Sequence, residues 1–258
     1  MTVILSVKNI VKIFKNGSEV KAIDDVSFDV NYDEFICIIG PSGCGKSTLL
    51  RIIAGLETAD SGQVLFRDQP ITKPSPKVTM VFQTFGLLPW KTAIENVELP
   101  MEVAGIEKAT ARATAERYLR MVGLSSFEGA YPHDLSGGMR QRVGVARALA
   151  LGPEVLLLDE PFSALDELTA KSLRVLLLQI WGDSSLPTNN FVMVTHNVEE
   201  AVMMADRIIV MSPRPGRVVG ELKVHLPRPR FEHLRDPVFF ETVDKLMGML
   251  SSTTEEQM

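Results

Sequence analysis

The stretch GPSGCGKST, from Gly40 to Thr48, constrains the fold of this chain more than any other feature. It fits the pattern G-x-x-x-x-G-K-[ST], in which the amides of a glycine-rich loop wrap phosphate groups and a hydroxyl contacts Mg²⁺. The apolar run FICIIG before it predicts a buried strand, and KSTLLRIIAGL after it has helical spacing. A strand, a loop and a helix in this order predict an α/β fold, with Lys46 reaching the β- and γ-phosphates and Ser47 binding the metal ion.

Two carboxylates end a second apolar run, EVLLLDE, which predicts another buried strand. Adjacent residues on a strand point to opposite sides, so Asp159 and Glu160 are expected to have different tasks. We expect Asp159 near the Mg²⁺ ion and Glu160 beside the water molecule that attacks the γ-phosphate. The pair alone is also compatible with two solvated carboxylates at a strand end, and the phosphate-binding loop favours the catalytic interpretation.

His196 and Gln83 each follow a predicted strand, NFVMVT and KVTMVF. Parallel α/β sheets collect their ligands at the carboxyl ends of the strands. At that edge a histidine can hydrogen-bond a γ-phosphate oxygen, and a glutamine can bind Mg²⁺ or orient a water molecule. Position alone is weak evidence for either residue. The remaining histidines, His133, His225 and His233, lack such a setting and are interpreted as structural or surface residues.

Another glycine-bearing stretch, LSGGMRQRVGVARAL, begins at Leu135. Ser136 is a good N-cap residue, and Gly137 and Gly138 let backbone amides converge at the start of a helix. Such a helix end is suited to an anion. The stretch contains no lysine for a triphosphate and no carboxylate for a metal ion, so the site that it predicts is incomplete.

The composition is that of a globular protein with a sizeable core, since 45% of the 258 residues are hydrophobic. The formal net charge of -5 does not favour nucleic acid as a partner. No apolar run approaches the roughly 18 residues that span a bilayer, and the start of the chain lacks a signal-peptide layout, so we expect a cytoplasmic protein. Cys37 and Cys44 are expected to be reduced thiols, and the Cys44 thiol to line the phosphate cradle, where a bulky reagent would block nucleotide binding.

The rest of the chain alternates between strand and helix patterns. Strands are predicted through residues 3–30, in SGQVLFRDQPI and in DRIIVMSPRPGRVVGEL, and helices from Thr92 to about Leu124, in ALDELTAKSLRVLLLQIW and in NVEEAVMMA. Near the end, LPRPR predicts an extended connector, Asp236 caps a last helix, and SSTTEEQM is expected to fray. Phe239, Val243, Leu246, Met247 and Leu250 are predicted to fall on one face of that helix.

In this combination and order, the motifs resemble those of the ATP-binding subunits of ABC transporters over nearly the whole chain. The resemblance implies a P-loop NTPase core of the α/β class with an antiparallel β subdomain and an inserted helical subdomain at about residues 86–151. It also implies an ABC ATPase domain over residues 1–230 and a C-terminal helical extension over residues 231–258. The motifs are Walker A at Gly40–Thr48, the Q-loop at Gln83, the signature LSGGM at Leu135–Met139, Walker B at Val155–Asp159 with Glu160, the D-loop SALD at Ser163–Asp166 and the switch histidine His196.

The resemblance implies a site for ATP and Mg²⁺. Phe14 stands where the family has an aromatic residue that stacks on adenine, and Asp33 replaces a common glycine in a turn, with little change expected. Catalytic roles fall on Glu160, His196, Gln83 and Lys46. Contacts with Mg²⁺ fall on Ser47, Gln83 and Asp159. Contacts with ATP fall on Phe14, Gly40, Pro41, Ser42, Gly43, Cys44, Gly45, Lys46, Ser47, Thr48, Ser136, Gly137, Gly138 and Asp166.

The resemblance also implies partners. Two copies would pair head to tail around two ATP molecules, each signature facing the ATP of the other copy, and hydrolysis would drive opening and closing of the dimer. Integral membrane permease subunits would bind a groove lined by Phe85, Leu87, Leu88 and Trp90, although ordinary packing of this loop explains the same apolar residues. A solute-binding protein would act indirectly, and the chain would be peripheral on the cytoplasmic face of the inner or plasma membrane.

A single ATPase domain without a fused membrane segment is typical of bacterial importers. YPHDLSGGMRQRV, MSPRPGRVV and LPRPR are similar to segments of the importers for nitrate, taurine and aliphatic sulfonates. Two alternatives stay open: a soluble scaffold ATPase, as in iron–sulfur cluster assembly, and an importer ATPase for an unrelated solute. The coiled coils or second ATPase domain of repair and translation ATPases are not found in this sequence, and a small-molecule kinase would not need LSGGM or SALD. Co-purification with an integral membrane protein would separate a transporter from a scaffold.

Overall fold

The structure is a computed structural model that describes residues 2–16 and 18–255. The described residues form two compact units. The first contains residues up to Ser75 and those from Asn190 onward, and the second runs from Pro76 to Asn189, so the chain leaves the first unit once and returns to it. No helix in the described part of the chain is long and apolar enough to cross a membrane.

The type of each strand and helix agrees with its prediction from the sequence. The first unit begins with β1 (Val3–Asn16), β2 (Ser18–Asn31), β3 (Phe35–Ile39), α1 (Lys46–Ile53), β4 (Ser61–Phe66) and β5 (Gln69–Pro70). The second unit contains β6 (Val78–Val81), α2 (Ala93–Val103), α3 (Lys108–Met121), α4 (Gly137–Leu149), β7 (Val155–Asp159) and α5 (Glu167–Trp181). The chain returns to the first unit with β8 (Asn190–Thr195), α6 (Val198–Met204), β9 (Arg207–Met211), β10 (Val218–Lys223) and α7 (Pro237–Glu255).

An antiparallel sheet in the first unit has the strand order β2-β1-β4-β5. Several of its apolar side chains, among them Leu5, Val7 and Ile10 of β1, are buried. β1 and β2 are long strands whose register shifts several times, and such bulges let a long strand bend and twist. This sheet confirms the antiparallel part of the predicted fold.

A parallel arrangement forms the other half of the first unit. β3 is flanked by β8 and β9, both parallel to it, and β10 pairs with β9 in the antiparallel sense. Every residue of β3, β8 and β9 is buried, as expected for strands that are covered on both faces. Ile39 of β3 lies opposite Thr195 of β8, so the residues that follow these two strands leave the sheet at the same edge.

The turn between β2 and β3 accommodates the aspartate found there. Asp33 has a left-handed φ of 58°, which glycine adopts without strain and which aspartate tolerates. Its backbone amide donates to Asn190 Oδ1 at 2.9 Å. The departure from glycine at this position therefore leaves the turn intact.

The second unit combines two parallel strands with four helices. β6 and β7 pair in parallel, with Val81 opposite Leu158. α2 begins with a capping box, in which the Thr92 amide donates to Glu95 Oε2 at 2.7 Å and the Glu95 amide donates to Thr92 Oγ1 at 3.4 Å. α2, α3 and α4 fall within residues 86–151, and the boundary of the helical subdomain stays a prediction.

The connector LPRPR is fastened to the loop that precedes β9. Arg230 is 3% exposed and donates to the Ala205 carbonyl at 2.6 Å, and burial lowers the pKa of its guanidinium to about 10. Arg228 donates through Nη2 to Met204 O at 2.8 Å and to Asp206 Oδ1 at 2.7 Å. The connector therefore holds α7 to the first unit through an arginine pair.

The last helix, α7, buries most of its predicted face. Phe239, Val243 and Leu246 are buried, whereas Met247 is 52% exposed. Met247 lies at the margin of the apolar stripe, where one helical step turns a side chain toward solvent. The helix continues to Glu255, through residues expected to fray, and residues 256–258 of the predicted tail lie outside the described residues.

Candidate functional site

The glycine-rich loop between β3 and α1 is shaped for close backbone approach. Gly43 and Gly45 have φ values of 75° and 105°, and Gly45 caps α1 without a side-chain hydrogen bond. A Cβ at Gly45 would lie 2.9 Å from the Ala22 carbonyl oxygen, and one at Gly40 would lie 2.8 Å from the Met211 carbonyl oxygen. Because only glycine fits these positions, the loop can bring backbone amides to a phosphate without side chains in between.

Lys46 brings a positive charge to this loop. The residue is 5% exposed, and its Nζ donates to the carbonyl oxygens of Gly40 at 2.8 Å and Pro41 at 2.9 Å. Ser47 and Thr48 lie in the first turn of α1, and Ser42 is exposed in the loop. The predicted phosphate contacts from Gly40 to Thr48 therefore lie in one continuous segment that includes a buried cation.

The Cys44 side chain does not line the cradle in the way that the sequence suggested. Cys44 is 1% exposed, its Sγ lies 3.9 Å from Lys46 Nζ, and a Cβ at Gly40 would approach it to 3.1 Å. Burial raises the pKa of the thiol. The sulfur is packed inside the loop, and the effect of a reagent on nucleotide binding stays a prediction.

His196 and Phe14 lie in the same unit as this loop. Gly40 and His196 directly follow the paired residues Ile39 and Thr195, so both leave the parallel strands at one edge, and His196 is exposed there. Phe14 lies on β1 with a half-exposed side chain, and Lys12 Nζ is 5.2 Å from its ring centroid. The structure thus brings His196 to the edge of the loop, and the stacking role of Phe14 stays a prediction.

In the second unit, Gln83 and Glu160 are brought together by the pairing of β6 with β7. Gln83 Nε2 donates to Glu160 Oε2 at 3.2 Å and to Ser163 Oγ at 3.4 Å, and the Ser163 hydroxyl donates to the Glu160 carbonyl at 3.0 Å. The sequence reasoning did not single out Ser163 for this contact, although it lies in the quoted SALD motif. The result is a carboxylate held by an amide and a short loop.

Asp159 and Glu160 differ in backbone conformation, because Asp159 ends β7 and Glu160 lies in the turn that follows. β7 ends at Asp159, which is 2% exposed, and Glu160 has a left-handed φ of 45°. The sequence argument assumed that side chains alternate along the strand through Glu160. Because Glu160 lies beyond the end of β7, this alternation does not extend to it. A non-glycine residue in this region is strained, and such strain is common at functional sites.

The helix α4 begins at the signature motif as predicted. Ser136 is its N-cap and its Oγ accepts from the Met139 amide at 3.3 Å. A Cβ at Gly138 would lie 2.1 Å from Thr169 Cγ2, so glycine is required where α4 meets the start of α5. Gly137 is less confined, since the nearest atom to an added Cβ would be Leu165 Cδ2 at 3.7 Å.

Asp166 is the N-cap of α5. Its carboxylate accepts from the Thr169 hydroxyl at 2.6 Å and from the Thr169 amide at 3.1 Å, and these hydrogen bonds lower its pKa. Capping accounts for an aspartate at this position without a ligand. A contact between Asp166 and nucleotide stays a prediction.

The segment that follows Gln83 is fixed from within its own unit. Asn96 is fully buried and pairs with both backbone groups of Leu88, accepting from its amide at 2.8 Å and donating to its carbonyl at 3.2 Å. Arg147 donates to the carbonyl oxygens of Phe85 and Gly86 at 2.9 and 2.6 Å. Trp90 is nevertheless 71% exposed, so the fixed loop presents a large aromatic side chain to solvent.

The predicted metal ligands are suited to a Mg²⁺ ion that is bound chiefly by phosphates and water. Within the described residues, no group of three or more His, Cys, Asp or Glu side chains could hold a metal ion. Ser47, Gln83 and Asp159 supply a hydroxyl, an amide and a single carboxylate. Mg²⁺ keeps several waters and takes few protein ligands when it accompanies a nucleotide, so this donor set fits it.

Comparison with known proteins agrees with the geometry. The profile of the ABC transporter family matches residues 23–163, which is more than half of the chain. The chain belongs to the ABC transporter family. It is an ABC ATPase, an enzyme that hydrolyses ATP, and the predicted α/β P-loop fold is confirmed. The ABC ATPase is similar to a dimeric structure of MJ0796, a bacterial ABC transporter cassette, with a TM-score of 0.76 and 34% identity, covering 86% of this chain and 100% of that chain.

Three relatives of this ABC ATPase are named for the import or transport of small anions or zwitterions. The taurine import ATP-binding protein of Rhizobium johnstonii is 43% identical, covering 93% of this chain and 92% of the relative. The nitrate import ATP-binding protein of Synechocystis sp. is 42% identical, covering 96% of this chain and 95% of the relative. The bicarbonate transport ATP-binding protein of the same organism is 41% identical, covering 93% and 86%.

Proposed function

We propose that this ABC ATPase powers an importer for a small anion or zwitterion, such as nitrate, bicarbonate, taurine or an alkanesulfonate. The observation that carries the proposal is the full-length similarity to import ATP-binding proteins, which covers up to 96% of this chain. The protein would act as a peripheral subunit on the cytoplasmic face of the membrane, bound to permease subunits that receive solute from a binding protein. The solute itself need not touch this chain.

The active form would be a head-to-tail homodimer. The N-terminus of α4 supports this arrangement, because Ser136 and Gly137 lie at a helix start that contains no lysine. Arg140 in its first turn donates to the Pro132 carbonyl at 3.4 Å and lies 5.5 Å from the Phe85 ring centroid. An anion site without its own free cation is completed when the lysine-bearing loop of a second copy faces it. Two solved structures of one relative, MJ0796, are dimeric, and one of them is bound to ADP and Pi.

In the proposed reaction, Lys46 and the loop amides hold the phosphates, and His196 contacts the γ-phosphate. Glu160 acts as the general base for water, with its carboxylate positioned by Gln83 at 3.2 Å. Ser47, Gln83 and Asp159 would hold Mg²⁺, which neutralises phosphate charge when bound. Closure of the dimer completes each site, so hydrolysis depends on the partner copy.

Permease subunits would bind at the segment Phe85–Trp90. Trp90 supports this role, because a tryptophan that is 71% exposed on a loop held by a buried asparagine is suited to fill a partner's pocket. A Trp90→Ala variant should therefore retain ATP hydrolysis in detergent-free solution but lose co-purification with membrane protein. This outcome would also separate the transporter from a soluble scaffold ATPase.

Complementation between two inactive variants tests the head-to-tail dimer. Lys46→Ala removes the cation of the phosphate loop, and Gly137→Asp adds a negative charge where space is available, since no atom lies within 3.7 Å of the added Cβ. In a mixed dimer both changes fall in one composite site and the other site is intact. Each variant alone should be inactive, and an equal mixture should regain up to about a quarter of the wild-type activity. No recovery in a mixture that forms mixed dimers would contradict the composite site.

The transported solute is tested with the complete complex. Membrane vesicles that contain the ATPase, its permease and its binding protein should take up labelled nitrate, bicarbonate, taurine or an alkanesulfonate. This uptake should require ATP on the side of the membrane where the ATPase is bound. Vesicles with the Glu160→Gln variant serve as the control. Uptake of none of these solutes, with ATP hydrolysis intact, would overturn the proposed substrate class.

A further inference from the structure

A short loop between β9 and β10, Ser212–Arg217, lies in the same unit as the phosphate loop. We call it the strap. It is closed by a hydrogen bond from the Ser212 amide to the Arg217 carbonyl at 2.9 Å. The Ser212 hydroxyl accepts from the Arg217 amide at 3.0 Å and donates to the Pro215 carbonyl at 3.1 Å. The strap is therefore a defined turn stabilised by its own hydrogen bonds.

The strap is also anchored to β2. The Gly216 amide donates to the Ala22 carbonyl at 3.0 Å, and the Asp24 amide donates to the Gly216 carbonyl at 2.9 Å. Arg217 Nε donates to Asp24 Oδ2 at 2.9 Å, and this contact, together with Lys21, lowers the pKa of Asp24. Backbone and side-chain bonds thus fix both the position and the orientation of the strap.

The strap contacts the phosphate loop at two consecutive residues. A Cβ at Gly216 would lie 2.1 Å from the Cys44 carbonyl oxygen, so glycine is required for the two backbones to approach. The guanidinium of Arg214 donates through Nε and Nη2 to the Gly43 carbonyl at 3.1 and 3.0 Å. On the other side of the same peptide, the Cys44 amide donates to the Pro41 carbonyl at 3.3 Å. The peptide between Gly43 and Cys44 is therefore held at both ends.

We propose that Arg214 is a positioning residue for nucleotide binding, which it assists by holding the Gly43–Cys44 peptide in one orientation and by placing a positive charge beside the phosphate loop. Gly43 has a left-handed φ and no side chain, so the free loop would otherwise sample other orientations. A loop that is ordered beforehand loses less entropy when phosphates bind. The proposal rests on the proposed function only in that the loop binds the phosphates of ATP.

The role of Arg214 predicts a specific change in ATP affinity. Arg214→Met keeps the length of the side chain but removes the fork and the charge, and we expect the dissociation constant and KM for ATP to rise about tenfold with kcat at saturating ATP nearly unchanged. Arg214→Lys keeps the charge without the planar fork and should show an intermediate loss. Arg235→Met is the control, because it removes an exposed arginine that lies outside the strap and the phosphate loop.

The measurements are ATP titration by calorimetry, steady-state hydrolysis and thermal unfolding without nucleotide, on full-length dimer-forming protein. Unchanged thermal unfolding for Arg214→Met, together with weaker ATP binding, supports positioning over a general loss of structure. An affinity of Arg214→Met within twofold of wild type, or an equal loss in Arg214→Met and Arg235→Met, would overturn the inference. If wild-type protein does not bind ATP, both the proposed function and this assignment fail. If Arg214→Met weakens ATP binding but the vesicles take up none of the proposed solutes, only the proposed function fails.

Discussion

The N-termini of α1 and α4 both contain glycines, and they differ in whether a side chain already accepts a hydrogen bond from their first backbone amides. α1 is capped by Gly45 in a left-handed conformation, with no side-chain acceptor for its first amides. α4 is capped by Ser136 in an extended conformation, and the Ser136 hydroxyl accepts from the Met139 amide. The first helix start also has Lys46 buried beside it, whereas Arg140 in the first turn of α4 donates to the Pro132 carbonyl.

This difference indicates that two helix starts of similar composition have different roles in anion binding. A helix start whose amides have no internal acceptor, and which carries its own cation, is built to hold a polyanion in a single chain. A helix start that is already capped keeps its shape without a ligand but offers a weaker site. The sequence shows that LSGGM lacks a lysine, but only the structure shows that the start of α1 has no side-chain cap.

The largest expected effect is on kcat, and it tests whether the phosphate loop serves ATP binding while Glu160 serves hydrolysis. Glu160→Gln removes the proposed general base in the second unit but leaves the phosphate loop unchanged. We expect ATP affinity to be retained and kcat to fall about 10²- to 10⁴-fold, as for the loss of a general base. ATP titration and steady-state hydrolysis measure the two effects separately, with the exposed Glu116→Gln as a control. Near-normal turnover in Glu160→Gln would reject the assignment.

A smaller effect tests whether the phosphate loop is preformed. Cys44 is 1% exposed and burial raises the pKa of its thiol, so at pH 8 it carries less thiolate than a free cysteine, and its reactivity should rise only at higher pH. In a Cys37→Ala background, a chromogenic disulfide reagent should modify Cys44 in the folded protein at least about tenfold more slowly than in denaturant. Rapid modification of the folded protein at pH 8 would indicate that the phosphate loop opens. The loop would then not be preformed for a phosphate, and the proposed difference between the starts of α1 and α4 would be lost.

The smallest effect concerns the cap of α4. Ser136→Ala removes the acceptor for the Met139 amide and should lower the free energy of unfolding by about 1 kcal/mol, with ATP binding to a single copy unchanged. Ser136→Asp caps the helix as well as serine does but brings a negative charge to the predicted phosphate contact. We therefore expect it to have the stability of wild type but little ATP hydrolysis. Chemical denaturation and hydrolysis assays distinguish the two. A loss of ATP affinity in Ser136→Ala as large as in Lys46→Ala would show that the two helix starts are not different in kind.

Several contacts at the site could not be predicted from the sequence. Gln83 and Glu160 were each identified by their place after a strand, but their hydrogen bond depends on the register of β6 with β7. Arg214 lies in SPRPGR, whose prolines and glycine signal a rigid turn, yet nothing in that turn indicates that it meets Gly43. The burial of the Cys44 thiol likewise depends on packing around the loop and not on the motif.

The sequence by itself determined the order and type of the elements, the phosphate loop, and the residue types that ATP and Mg²⁺ require. These are local properties, because propensity, periodicity and capping act within a few turns of the chain. The tertiary structure alone decided which carbonyl Arg214 holds, which carboxylate Gln83 holds, and why Cys44 is hidden. Those contacts join residues far apart along the chain, and only strand register and side-chain packing bring such residues together.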